Sequence, residues 1–469
     1  LTHPLPFSHY VVTTIASLQS IRSLGHSEAA VATMSFSVNK LAPELVAAAE
    51  PTPSGRLPLS LMDRTAGVRL IINLILVFEQ GVQLAKAIRA ALPRALVPYY
   101  PVAGRIVEPL PGEAEVDCTG DGGWFVEASL NCSLKDVNNL EHPLLLPRKD
   151  LIPYAPPDVI EGDLIFLMQV MYLSMHAFPK PPSLRYGAMF HGSTFDTHPL
   201  GIRFNHAVFD GLGVGQFLKA VAEIARGHAR PLIEPVWCRE AIPSPPKLSQ
   251  RHSPATAAVN FESSVFDVSS DHISAVKNQF WRETGQKCST FDVVTAMTWQ
   301  CRTRAISLDP HTDVYLGFAA NTRHLLRQLP QEGFYGNCVY HTGSKATAGI
   351  IAGSSLVEVI ELIRDAKERM PAKFLDWLMG NAEDDPCKVP LGYGILVVLD
   401  WSRLGFSEVN YGWGEPIHVA PLSGDHSYVS SCIYLQPSKP KQGVRLMTQC
   451  VQKEHLHAFT EEMMKFVHN

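Results

Sequence analysis

The chain has no Cys-x-x-Cys pair and no His/Cys cluster at zinc spacing, although it carries nine cysteines in 469 residues. Scattered thiols in odd number read as reduced cysteines, not as a disulfide framework or a metal centre. No apolar run approaches the ~20 residues that cross a bilayer. The longest, residues 70–78, is interrupted by Asn73. Neither sign of charge dominates: 40 Lys and Arg stand against 45 Asp and Glu, a net charge of −5. That balance gives no reason to expect a nucleic-acid or anionic-membrane partner. There is no Gly-x-Ser-x-Gly elbow, which argues against a serine acyl-enzyme. Repeats, low-complexity tracts and an apolar leader with a basic flank are missing too. The expectation is a cytoplasmic monomer.

What is present is an ordinary globular balance, 46% hydrophobic and 18% charged, on a chain long enough for two or three domains. Residues 1–33 are Ser- and Thr-rich with a single acid, Glu28. They read as a non-native or disordered extension ahead of Met34; a transit peptide is the alternative. From there strands and helices alternate. Residues 70–78 read as a buried strand and 82–96 as a helix that Pro93 must kink or end. Residues 165–171 and 261–268 read as strands, with Ser270 capping a helix after the second. A helix is expected over 289–306, ending in Arg302-Thr303-Arg304, and a strand over 314–321 leads to Arg323. Ser355 with Glu358 forms a capping box, 392–399 is a strand and 454–467 a closing helix.

Two stretches break this pattern. Residues 172–199 hold four prolines and three histidines without a period, and read as an insertion. Residues 231–254 are proline-rich and read as a linker. The expected division is an N-terminal domain over 34–230, a crossover over 231–260 and a C-terminal domain over 261–469.

The chemistry concentrates at residues 204–215, Phe-Asn-His-Ala-Val-Phe-Asp-Gly-Leu-Gly-Val-Gly. Leu200, Ile202 and Phe204 alternate with less apolar residues, as in a strand; Phe217, Val221 and Ile224 follow at helical spacing. His206 and Asp210 thus sit between strand end and helix start, where α/β sheets bind ligands. A dinucleotide fingerprint would need glycine at Gln216.

Taken together, several stretches resemble the plant BAHD acyl-CoA-dependent acyltransferases, particularly the benzyl alcohol benzoyltransferase and taxane acyltransferase branch. His206-Ala-Val-Phe-Asp210-Gly211 matches that family's His-x-x-x-Asp-Gly motif. Asn410-Tyr411-Gly412-Trp413-Gly414 is similar to its Asp-Phe-Gly-Trp-Gly motif, and Phe334 to Cys338 looks like a further landmark. The resemblance implies an α/β, two-domain, chloramphenicol-acetyltransferase-like fold, each domain a mixed sheet flanked by helices, with a channel between them. It implies acyl-CoA as co-substrate with no bound cofactor or metal, and an alcohol or amine acceptor.

On that reading His206 is the general base. An imidazole of pKa near ~6.5 suits the task, which typically contributes roughly 100- to 10,000-fold. Asp210 either holds the loop by pairing with an arginine such as Arg323 or orients His206. Trp413 either packs or offers its indole N–H to the oxyanion, and Gly412 and Gly414 are turn residues. Asn410, where the family has Asp, keeps hydrogen bonding but not charge. Lys287, Arg302 and Arg304 are candidates for the CoA phosphates, and a solvated helix face explains them equally. The expected donors are benzoyl, acetyl or similar groups. The alternative is an impaired paralogue that binds acyl-CoA or a partner.

Overall fold

The computed structural model describes residues 12–17, 35–81, 83–173, 198–244, 259–330, 332–382, 392–422 and 429–467. Most of the stretch read as an insertion, residues 174–197, lies outside these, as do residues 245–258 of the expected crossover and most of residues 1–33. Val12–Ser17, within the expected extension, pairs antiparallel with Ser35–Lys40.

Two mixed sheets carry the fold. The first centres on three hydrophobic strands: β1 (Ile71–Phe78), β2 (Phe166–Leu173) and β3 (His198–Asn205). β3 lies between the other two and is antiparallel to both. β2 runs parallel to Gly123–Leu130, which continues the sheet outward. On its far edge β1 takes a strand from the other end of the chain, β4 (His418–Pro421), pairing His418 with Val77 and Pro421 with Leu74. The second sheet has six strands, with Asp313–Asn321 parallel to Ile395–Asp400 and antiparallel to Val339–Thr347.

Helices cover both sheets. α1 (Leu84–Ala95) and α2 (Gly211–Ala225) pack on one face of the first. Leu84, Ile88 and Leu92 recur every four residues and are at most 1% exposed. Each such side chain contributes roughly 1.5–3 kcal/mol of hydrophobic stabilisation. Pro93 sits in the last turn of α1, where the helix ends two residues later. The second sheet is covered by α3 (Thr290–Ile306) and α4 (Leu356–Leu378). Ser289 with Asp292 and Ser355 with Glu358 close reciprocal capping boxes at their starts. The cap of the preceding helix is Ser269, whose hydroxyl accepts from the His272 N–H, one residue before the expected Ser270.

α2 explains the glycines of the first motif. A Cβ on Gly213 would stand 2.0 Å from the Tyr335 carbonyl oxygen, and one on Gly215 would stand 2.1 Å from that of Leu404. The helix start is pressed against backbone from the second half of the chain, and only glycine fits there. Gly211 meets the flexible Leu404 side chain instead.

Candidate active site

β3 ends at Asn205, and the chain turns over four residues before Asp210 caps α2. The turn is local chemistry: Asn205 accepts from the Ala207 N–H through Oδ1 (3.1 Å) and from the Val208 N–H through its carbonyl (3.1 Å). His206 lies at its apex. Its N–H donates to Leu70 O (2.9 Å), and its carbonyl accepts from Asn337 Nδ2 (2.7 Å).

The imidazole is half-buried. Nδ1 faces inward, and Nε2 makes no hydrogen bond to any described residue. Burial pushes the ring below its ordinary value of 6.5, opposed by its own carbonyl, by Asp210 and by the Asn337 amide. At neutral pH the ring is therefore uncharged, the form a base requires. Among the described residues no Ser or Cys side chain bonds to it.

Asp210 is 2% exposed, and both its oxygens are occupied. Arg323 grips it bidentately at 2.7 and 2.8 Å, Gly213 N–H donates to Oδ1 (2.9 Å) and Cys338 N–H to Oδ2 (3.1 Å). It reaches His206 only through its charge. Arg323 also donates to Gly336 O (2.8 Å), so this ion pair ties the motif loop to the second half.

The remaining candidates are dispersed. Arg226, just past the C-terminus of α2, donates to the Asn410 carbonyl, and its side chain lies 3.8 Å from where a Cβ on Gly412 would stand. His206 lies before the opposite end. Fifteen residues of helix separate the ends by about 22 Å. Trp413 packs on the rim of the first core and is not an oxyanion donor to His206. Asn410 Oδ1 accepts from Gly412 N–H (2.8 Å) and Gly414 N–H (3.2 Å), and both glycines have positive φ, 112° and 104°. The side-chain oxygen that builds this turn is common to Asn and Asp, so the turn survives the replacement.

Arg302 corrects an expectation. It is 0% exposed, donates to the carbonyls of Cys450 and Tyr393, and stacks on the Tyr393 ring, so it cannot meet a phosphate. Arg304 is partly exposed, bonded to Ala352 O and near Glu462, and Lys287 is exposed. A small cavity of about 50 Å³ opens between the two sheets. It is lined by His142, Ser264, His418, Leu422, Ile433 and Arg445 among others, and His206 is not in its wall.

Sequence reasoning missed a buried ion pair beneath the turn. Asp63 and Arg239 are 0% and 2% exposed, with Oδ2 to Nε at 2.9 Å. Arg239 also donates to Val208 O (2.6 Å), and Asp63 Oδ1 accepts from the backbone and side chain of Asn337 at 3.0 and 2.9 Å. No periodicity announces partners 176 and 274 residues apart.

A sequence model described as "Transferase family" matches residues 36–174 and 197–466. Acyl transferase 4 from Oryza sativa subsp. japonica is 41% identical over 458 residues, covering 92% of this chain and all of that protein. The myricetin 3-O-glucosyl 1,2-rhamnoside 6'-O-caffeoyltransferase AT2 of Crocosmia x crocosmiiflora is 41% identical with the same coverages. Among solved structures, vinorine synthase superposes with a TM-score of 0.67 at 18% identity, covering 92% of this chain and 98% of that one. The chain belongs to the BAHD family of plant acyl-CoA-dependent acyltransferases.

Proposed function

We propose that the protein moves an acyl group from acyl-CoA to a hydroxyl or amine of a small specialised metabolite, with His206 as general base and without a covalent acyl-enzyme. One observation carries this: an imidazole whose Nε2 is, among the described residues, unengaged and bonded to no Ser or Cys nucleophile, on a turn pinned from both halves, with burial favouring its neutral form. The acceptor O–H or N–H gives its proton to Nε2 as the heteroatom attacks the thioester carbonyl. The tetrahedral oxyanion then collapses with cleavage of the C–S bond. The departing thiolate takes the proton from His206, leaving ester or amide plus free CoA.

Benzoyl and acetyl donors fit the motif resemblance, and the 41% relative that is a caffeoyltransferase adds hydroxycinnamoyl groups and glycoside hydroxyls. A cytoplasmic monomer remains our reading of the composition. The replacement at Asn410 no longer suggests impairment, because Asn410 still makes its turn.

The test follows thiol release from acetyl-, benzoyl- and caffeoyl-CoA with a panel of alcohols, amines and flavonol glycosides. Acceptor-dependent release is expected, falling roughly 100- to 10,000-fold in His206→Ala. Wild-type turnover in that variant refutes the base, and release that ignores the acceptor points to a thioester hydrolase.

A further inference from the structure

Asn337 is 0% exposed, and its amide orientation follows from its surroundings. Nδ2 contacts Asp63 Oδ1 at 2.9 Å and His206 O at 2.7 Å. Both are acceptors, so the NH₂ end must face them and both its hydrogens are used. The amide oxygen is thereby turned away, and it is buried with no donor among the described residues. The Nδ1 of His206 is buried without a partner as well, and the ring senses this amide. With Nδ1 protonated, the lone pair stays on Nε2, the atom that must accept the acceptor's proton.

Asp63 holds the amide in place. Its carboxylate accepts five hydrogen bonds: from Ser60 N (3.0 Å) and Oγ (2.6 Å), Arg239 Nε (2.9 Å), and Asn337 N (3.0 Å) and Nδ2 (2.9 Å). Arg239, fixed by the same carboxylate and lying 3.6 Å over the Trp237 ring, holds the Val208 carbonyl. The two carbonyls that set the pitch of the catalytic turn, those of His206 and Val208, are thus gripped by two side chains that share one anchor.

We propose that Asp63 and Asn337 are positioning residues of the transfer reaction: Asp63 fixes the Asn337 amide, and Asn337 fixes the backbone that carries the His206 ring. The role that Asp210 is too occupied to play is taken by a neutral amide with a buried carboxylate behind it. This rests on His206 being the base.

The test compares Asp63→Asn, Asn337→Ala and Asn337→Ser with His206→Ala in the full chain. It uses the donor and acceptor pair that the thiol-release panel yields. Turnover is expressed per folded molecule and measured from pH 5 to 9. The expected result is a kcat lowered at least about 30-fold with KM for acyl-CoA within about threefold, since positioning acts on the chemical step more than on binding. The acid limb of kcat/KM should move to lower pH, because Asn337 and Asp63 both raise the His206 pKa. Should Asp63→Asn fail to accumulate because Arg239 is stranded, the two Asn337 variants decide, since neither strands a charge. A dead His206→Ala beside an Asn337→Ala of normal kcat and unmoved profile overturns the proposal alone. An active His206→Ala overturns it together with the base.

Discussion

The two family motifs of this chain solve different problems. Residues 204–215 lie in the interior, and Asp210 there is 2% exposed with three of its four hydrogen bonds coming from distant Arg323 and Cys338. Residues 410–414 form a turn at the edge of the core, exposed at Gly412 and Gly414, shaped by the Asn410 side chain through two short-range hydrogen bonds and tied to α2 by Arg226. The first motif places a reactive ring. The second redirects the backbone so that, after Glu415-Pro416-Ile417, β4 joins the edge of the first sheet. Equal prominence in a sequence therefore conceals unequal chemistry, and the pattern of hydrogen-bond partners separates the two.

That contrast can be broken by mutation. The largest effect is expected in the first motif. Arg323→Met leaves the Asp210 carboxylate buried without its counter-charge, which should lower unfolding free energy by about 3–5 kcal/mol in denaturant titrations. A change within 0.5 kcal/mol would mean that the pair contributes little.

A smaller effect is expected where the second motif delivers its strand. His418 is 5% exposed, and burial, aided by Arg445, pushes it down to about 4 from 6.5. The unfolded chain therefore binds the extra proton first. The stability is whole above pH 6.5 and is lost as pH falls from 6.5 towards 4. Two and a half units at 1.36 kcal/mol each come to about 3 kcal/mol. Replacing His418 by Leu should flatten the pH dependence of the urea midpoint over that window by this amount, and an unchanged slope would contradict the assignment. The smallest effect belongs to the turn of the second motif. Asn410→Ala should cost about 1 kcal/mol, like the loss of a capping side chain, with kcat unchanged. A fall in kcat comparable to that of His206→Ala would erase the distinction between the motifs.

Much of the scaffold was legible because its signals are local. The capping box at Ser355 and Glu358, the spacing of Leu84, Ile88 and Leu92, and the apolar run of β1 all declare themselves within a few residues. The site was legible only as far as its motif reached. His206 and Asp210 stand in one stretch, whereas Arg239 sits in the stretch read as a linker, and its meaning and that of Asp63 depend on partners far along the chain. Arg302 misled for the converse reason. A basic residue near a helix end suggests solvent, yet α3 is buried on almost every side and Arg302 finds carbonyl oxygens instead. Trp413 lost its candidate role to helix length, which sequence spacing cannot convey when the contact runs through tertiary packing.

The strand lent by the C-terminal half to the first sheet has a mechanical consequence. With β4 hydrogen-bonded along β1, the halves cannot swing apart like a clamshell to admit substrates without stripping a sheet edge. Donor and acceptor must thread into a frame that stays shut. A polypeptide severed between the sheets should yield two fragments that each aggregate alone and recover a soluble fold only when mixed.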